Sequence, residues 1–264
     1  MIKCISKEIG EVAHLDNRNY SIELKIDGSR QFWIKGRLFS ERGIDNTLKF
    51  KHISDILKDV NAILDGEIYL NYNSTVFDVN KKINRNKVKY CVFDILELNG
   101  ESLRDLALED RQNILRNLLD KLNKDKLSSS VHFIVQFPAV DVAWDFITDN
   151  KLEGLVIKRL DSFYSFRDLF EEDRRSDWIK CKFLKEGKEK IIDYDRGSVK
   201  GAFTLENGSR ISALKSEVGQ IWLNFKDIKP IYAEFQYLNK TESGAFFQPV
   251  LHRLVDGKGN VLWE

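Results

Sequence analysis

The feature that most limits the fold is a change of hydrophobic period part-way along the chain. Through the first two-thirds, six runs alternate apolar and polar residues with the period of two that a pleated strand requires: residues 21–27, 31–38, 63–70, 88–96, 154–159 and 178–183. Between them lie apolar stripes at helical spacing. Ile53, Ile56, Leu57 and Val60 form one; Leu108, Leu115, Leu118, Leu119 and Leu122 form a longer one; Val142, Ala143, Phe146 and Ile147 form a third. These stripes are expected to be core faces. Past Phe183 the helical period gives out. A charged connector at residues 184–190 leads into short strand-like runs punctuated by Gly197, Asn207-Gly208, Gly219, Lys229-Pro230 and Gly244. Asn207-Gly208 between two apolar runs signals a hairpin. The pattern predicts an α+β domain over residues 1–185 and a small all-β barrel over residues 186–264.

Composition narrows the setting. A 264-residue chain that is 42% hydrophobic and 31% charged can bury a core, and no run reaches the roughly 18 apolar residues of a membrane span. The first 20 residues carry charges throughout, so an intracellular protein with no membrane association is expected. Cys4, Cys91 and Cys181 are far apart and fit neither a disulfide framework nor a zinc site, and the four histidines are scattered. Lys plus Arg is 42 against 41 Asp plus Glu, so bulk charge does not point to nucleic acid. Basic residues do cluster locally, at Lys81, Lys82, Arg85 and Lys87, and again at Arg174, Arg175, Lys180, Lys182, Lys185, Lys188 and Lys190. A solvated surface accounts for either cluster by itself.

The sharpest segment for chemistry is residues 21–30. As a strand it places Glu23, Lys25 and Asp27 on one face, with Gly28 and Arg30 directly after. A lysine is nucleophilic only when neutral, and neighbouring carboxylates favour its charged form. Such a site therefore needs an added cation. Further along, Arg42 lies in a turn-like run, residues 39–43. Asp65 and Glu67 share a strand face around Gly66, and Asp94 interrupts an apolar strand after Phe93. Glu153 and Lys158 bracket one strand, and Trp178, Lys180 and Lys182 share a face of another. Lysines so placed can cradle a polyphosphate as point charges.

In this order the runs resemble the signature motifs of the covalent lysine nucleotidyltransferases, the superfamily of DNA ligases, RNA ligases and mRNA capping enzymes. Lys25-Ile26-Asp27-Gly28 with Arg30 is similar to the first motif, residues 40–43 to the next, and Asp65-Gly66-Glu67 to the third. Phe93-Asp94, Glu153-Gly154 through Lys158, and Lys180-Cys181-Lys182 are similar to those that follow. The resemblance covers residues 20–185 and is strongest to ATP-dependent DNA ligases. It implies an ATP-grasp-like nucleotidyltransferase domain of two antiparallel sheets with flanking helices, followed by an oligonucleotide-binding (OB) barrel.

The roles implied are specific. Lys25 attacks the ATP α-phosphate to form lysyl-AMP, while Lys158, Lys180 and Lys182 neutralise phosphate. Glu23 contacts the adenine amino group, Phe93 stacks on the base, and Glu67 binds the ribose. Arg30 and Arg42 hold phosphate, and Glu153 with Asp94 places Mg²⁺ (Mn²⁺ as the alternative). The substrate implied is nicked duplex DNA, with Lys81–Lys87 against its backbone and a monomer as the default state. Only 24 residues precede Lys25, which leaves no room for a nicotinamide-binding domain and favours ATP over NAD. The alternatives are an RNA ligase, a GTP-using capping enzyme, or a non-catalytic nucleic-acid-binding module. Residues 186–264 carry 11 basic and 11 acidic residues, so DNA contact there needs a face. Arg253 and Lys258 resemble a variant of the family's last basic motif, or else an ordinary surface hairpin.

Overall fold

The computed structural model describes residues 1–124, 130–164, 169–171, 173–197, 201–213, 216–241 and 243–264, with the side chains of 123, 124, 173–175 and 216 left aside. Arg174 and Arg175 of the second basic cluster thus lie outside the described side chains. The chain divides into two compact units, Met1–Lys182 and Phe183–Glu264. It is a mixed α/β protein with several sheets and few helices.

The first unit contains two sheets. One runs in the order Ile2–Ser6, Asp173–Lys182, Gly154–Arg159, Tyr20–Lys25, Gln136–Phe137. The other runs Arg37–Ser40, Ser29–Ile34, Ala62–Tyr69, Lys89–Leu98, Glu101–Ser102. The sheets are not wholly antiparallel. Ile2–Ser6 lies parallel to Asp173–Lys182, and Val131–Phe133 lies parallel to Lys89–Leu98. The run expected as one strand over residues 31–38 is a hairpin. Lys35 and Gly36 both take positive φ, and the chain turns back on itself there. An alternating pattern continues through a two-residue turn, so periodicity alone does not reveal the break.

The helices Lys51–Leu57 and Leu108–Lys124 cover one face of the second sheet, burying Phe50, Ile53, Leu57, Leu115 and Leu119 against Trp33, Leu64, Tyr90 and Val92. The third stripe is only half right. Val140, Ala143 and Ile147 of Val140–Asn150 are buried, whereas Val142 and Phe146 are 48% and 40% exposed. The other face of the second sheet, at Phe32 and Leu96, packs with Ile2, Tyr164 and Trp178.

The second unit is a six-stranded antiparallel sheet in the order Arg210–Ala213, Gly201–Leu205, Lys185–Asp195, Ile231–Tyr237, Val250–Asp256, Val261–Trp263, with a short hairpin of Asn239–Lys240 and Phe246–Phe247. The Asn207-Gly208 turn joins two paired strands as expected. The unit is not all-β, because Ser216–Phe225 is a helix. Val218 and Trp222 are buried and Ile221 partly so, an i, i+3, i+4 pattern hidden by reading Gly219 as a turn. The helix carries a glycine at 219 because a Cβ there would lie 2.0 Å from the Tyr194 ring. Arg253 pairs with Glu234 at 2.6 Å on the adjacent strand, and Lys258 sits in the turn after Asp256. Among the described residues no helix is long and apolar enough to cross a membrane.

Candidate active site

Three strands of the first sheet build the floor of a cavity of about 690 Å³. Their register sets residues side by side in rows: Lys182, Gly154 and Lys25; then Lys180, Val156 and Glu23; then Trp178, Lys158 and Ser21. Residues two apart on a strand share a face, so all three rows look into the same space. The second sheet supplies the opposing wall, with Arg30, Glu67 and Phe93, and Arg42 stands on the rim. That volume falls within the range of small-molecule pockets. The central position of the first row must be glycine. Gly154 has φ +145°, and a Cβ there would meet the Cys181 carbonyl at 2.0 Å and Lys182 Cα at 2.9 Å. The close strand approach brings the Lys25 and Lys182 backbones to either side of one residue.

Lys25 Nζ lies 2.7 Å from Glu153 Oε1, with the two side chains 22% and 6% exposed. Burial disfavours its charge, but Glu153, and behind it Glu67, outweigh burial and hold the ammonium above its ordinary pKa. Burial pushes Glu67 up to about 8 against the pull of Lys25 and Arg30, with Glu153 adding to the push. Lys182 is shifted down, by burial first and then by its cationic neighbours Lys25 and Lys180. Glu153 Oε2 is buried without a hydrogen-bond partner. Paired carboxylates, one with an unengaged oxygen and one easily protonated, suit a hard divalent cation that takes one or two protein carboxylates and completes its shell from phosphate and water. Among the described residues no group of three or more His, Cys, Asp or Glu could enclose a metal.

At the far end of the floor Glu23 is 2% exposed. Its Oε1 accepts from Ser21 Oγ at 2.7 Å and Gln112 Nε2 at 2.7 Å, and its Oε2 lies 2.6 Å from Lys158 Nζ. That ammonium lies 4.2 Å from the Phe93 ring centroid and 4.3 Å from that of Trp178.

A family model described as the ATP dependent DNA ligase domain matches residues 2–182. The chain belongs to this family. It is 23% identical over 249 residues to the SPbeta prophage-derived DNA ligase-like protein LigB of Bacillus subtilis, covering 89% of this chain and 86% of that one. It is 30% identical over 191 residues to a DNA ligase of Methanoculleus marisnigri, covering 62% of this chain but only 33% of that longer protein. The solved ligase domain of Mycobacterium tuberculosis LigD superposes with a TM-score of 0.60 at 21% identity, over 96% of this chain and 93% of that one. This last likeness shows the fold.

Within this ligase-family pocket the structure gathers Lys25, Glu23, Glu67, Phe93, Lys158, Lys180, Arg30 and Arg42, with Glu153 paired to Lys25 and Lys182 in the adjoining row. Three of the expected site residues are engaged by other groups of the protein. Asp94 is fully buried and its two oxygens accept from Arg111 Nε and Nη2, both at 2.8 Å, with Ile95 N–H at 2.9 Å besides. It is thus a structural partner, with no oxygen turned to a metal. Arg30 is committed as well, through Nε and Nη2 to Asp65 at 2.9 and 2.6 Å and through Nη1 to the Ile2 carbonyl at 2.8 Å. It braces the wall, with three of its five N–H groups engaged within the protein. Lys158 sits with Glu23 and the aromatic rings, four residues along its strand from Gly154 and about 13 Å from the Lys25 row at strand rise. It belongs to the inner end of the cavity.

The sequence reading missed Arg111 and Gln112. Both are buried on Leu108–Lys124, and with Leu108, Leu115 and Leu119 they complete an i, i+3, i+4, i+7 face. Two polar residues filling the gap in an apolar stripe were the available signal. Asp27 was also unplaced: its Oδ1 accepts from Val76 N–H at 3.2 Å, tying the turn after Lys25 to the helix Val76–Asn80 ahead of Lys81–Lys87.

Proposed function

We propose that Lys25 is the nucleophile of a DNA-sealing cycle run by this ATP-dependent DNA ligase. The observation that carries the assignment is the row Lys182–Gly154–Lys25 with Glu153 at 2.7 Å from the Lys25 amine. ATP enters with its base against Phe93 and Glu23 and its phosphates towards Lys25, Lys180 and Lys182. Glu153 Oε1 is the nearest acceptor for the proton the ammonium must lose. Lys25 Nζ then bonds to the α-phosphorus as the bond to the leaving pyrophosphate breaks. Lys180 and Lys182 face the charge that builds on the transferring group, the main work of a phosphoryl-transfer site. Glu153 and Glu67 would hold a Mg²⁺ ion, which would supply positive charge to favour the neutral Lys25 amine and to offset phosphate charge. The AMP passes to the 5′-phosphate at a nick, and the adjacent 3′-hydroxyl displaces it.

We assign residues 1–185 to the adenylation domain and 186–264 to an OB domain, supported by the six-stranded antiparallel sheet and its hairpin. Nicked duplex DNA meets the basic segment Lys81–Lys87. In its support, Lys49 on the cavity rim is shifted down by burial and by the neighbouring Arg85 cation, and Arg85 Nε is buried without a hydrogen-bond partner. Like charges held together favour an anion between them.

The test is incubation with α-labelled ATP or GTP and Mg²⁺, a denaturing gel, then addition of nicked duplex. A band labelled by ATP, absent in Lys25→Ala and discharged by a DNA nick with a longer strand appearing, is expected. Label from GTP alone, or discharge only by RNA ends, refutes it.

A further inference from the structure

Glu23 is held by a chain of amides that reaches the protein surface. Gln112 Nε2 donates to Glu23 Oε1 at 2.7 Å and approaches Ser21 Oγ at 3.3 Å and the Phe93 carbonyl at 3.4 Å. Gln112 Oε1 accepts from Gln136 Nε2 at 2.9 Å, and the same Nε2 donates to Ser21 Oγ at 2.6 Å. Gln136 Oε1 accepts from Arg116 Nη2. Arg116 lies over the Phe133 ring at 4.4 Å and also reaches Asn113 at 3.2 Å.

The direction of this chain is set at both ends. A guanidinium can only donate and a carboxylate can only accept, so each amide between them has one allowed orientation. Arg116 fixes Gln136, Gln136 fixes Gln112, and Gln112 presents its N–H groups to Glu23. Ser21 follows: with Gln136 donating to its oxygen, its hydroxyl hydrogen is free to go to Glu23.

The lone pairs can then be counted. A carboxylate has about four acceptor sites, two on each oxygen. Oε1 is filled by Ser21 and Gln112, whereas Oε2 faces the Lys158 ammonium at 2.6 Å as an ion pair without hydrogen-bond geometry. Oε2 is left to accept, beside Phe93 and Trp178 in the cavity.

We propose that Gln112, oriented by Gln136 and Arg116, is the positioning residue that locks Glu23 with Oε2 as its open acceptor, and so selects a purine bearing a 6-amino donor. The inference rests on the proposed seating of the base against Glu23. A keto oxygen at position 6 would face the acceptor without a hydrogen, and a bare 6-position would leave the buried lone pair unanswered, a loss characteristic of charged hydrogen bonds. If Gln112 is apolar, the carboxylate loses its fixed rotamer and both types of base become similar.

The experiment compares single-turnover self-labelling by ATP and by purine riboside triphosphate, which lacks only the 6-amino group, in wild type, Gln112→Met and Arg116→Met. The wild type is expected to prefer ATP by about tenfold to a hundredfold in kcat/KM, the usual worth of a hydrogen bond to a charged group. Gln112→Met should lower that preference about tenfold through KM for ATP, leaving labelling by the 6-unsubstituted nucleotide near wild type. Arg116→Met, at the surface end, should shift it the same way by a smaller factor. Equal losses with both nucleotides, or an unchanged preference in both variants, would overturn the positioning role while leaving the ligase reading intact. A wild-type protein that neither nucleotide labels would overturn the seating on which the inference rests.

Discussion

Replacing Gly154 by alanine probes the geometry on which the site depends. The added Cβ would stand 2.0 Å from the Cys181 carbonyl oxygen, a separation real Cβ atoms keep above 3.0 Å, in a backbone conformation (φ +145°) that L side chains rarely adopt. Relieving the overlap moves the Gly154 and Lys182 strands apart by about 1 Å, and a misplacement of that size costs about a hundredfold in a positioned reaction. Backbone strain adds about 1–3 kcal/mol. At roughly 2–4 °C per kcal/mol for a unit of this size, Tm should fall by roughly 2–12 °C, leaving the variant folded at 25 °C. The assay is single-turnover labelling with α-labelled ATP at saturating Mg²⁺, beside a thermal melt. Labelling slowed about a hundredfold at 25 °C, with a cooperative melt retained, is expected. A Gly154→Ala protein that labels within threefold of wild type would show that the Lys25–Lys182 spacing is not what the reaction needs.

Four other outcomes follow from the same geometry. Glu67, pushed up to about 8, must release a proton to hold a cation, so the Mg²⁺ concentration for half-maximal labelling should fall about tenfold from pH 6 to 7 and level off above about pH 8. Its folded pKa lies above the unfolded value of 4.5, so its stabilising contribution is complete at low pH and lost as pH rises towards 8; the melting temperature of wild type relative to Glu67→Gln should fall over that window. Asp94→Leu or Arg111→Met alone should destabilise by about 3–5 kcal/mol in denaturant melts, the double variant should recover much of it, and a single loss near zero would refute the buried pair. Replacing Lys82 and Lys87 by alanine should flatten the salt dependence of nick binding by about 0.9 in slope for each phosphate no longer neutralised, with self-labelling unchanged; an unaltered slope would remove this segment from the DNA interface.

The sequence by itself determined which charged residues share a strand face and which family the chain belongs to. Alternation placed Lys25 with Glu23, and Lys180 with Lys182, each pair on one strand face, and the motif order pointed to the family that the match over residues 2–182 establishes. These are local properties, because a strand's period says which residues look the same way. Partnership is not local. Arg30 meets Asp65 across 35 residues and Arg111 meets Asp94 across 17, and register and helix packing alone decided that these charges close on each other instead of on phosphate or metal. The same holds for Gln112, 89 residues from Glu23 and joined to it only when the long helix docks. The helix Ser216–Phe225 escaped notice because its glycine answers to Tyr194, a ring 25 residues away in the chain. A side chain's face follows from its own strand, whereas what it touches depends on every other element that packs there.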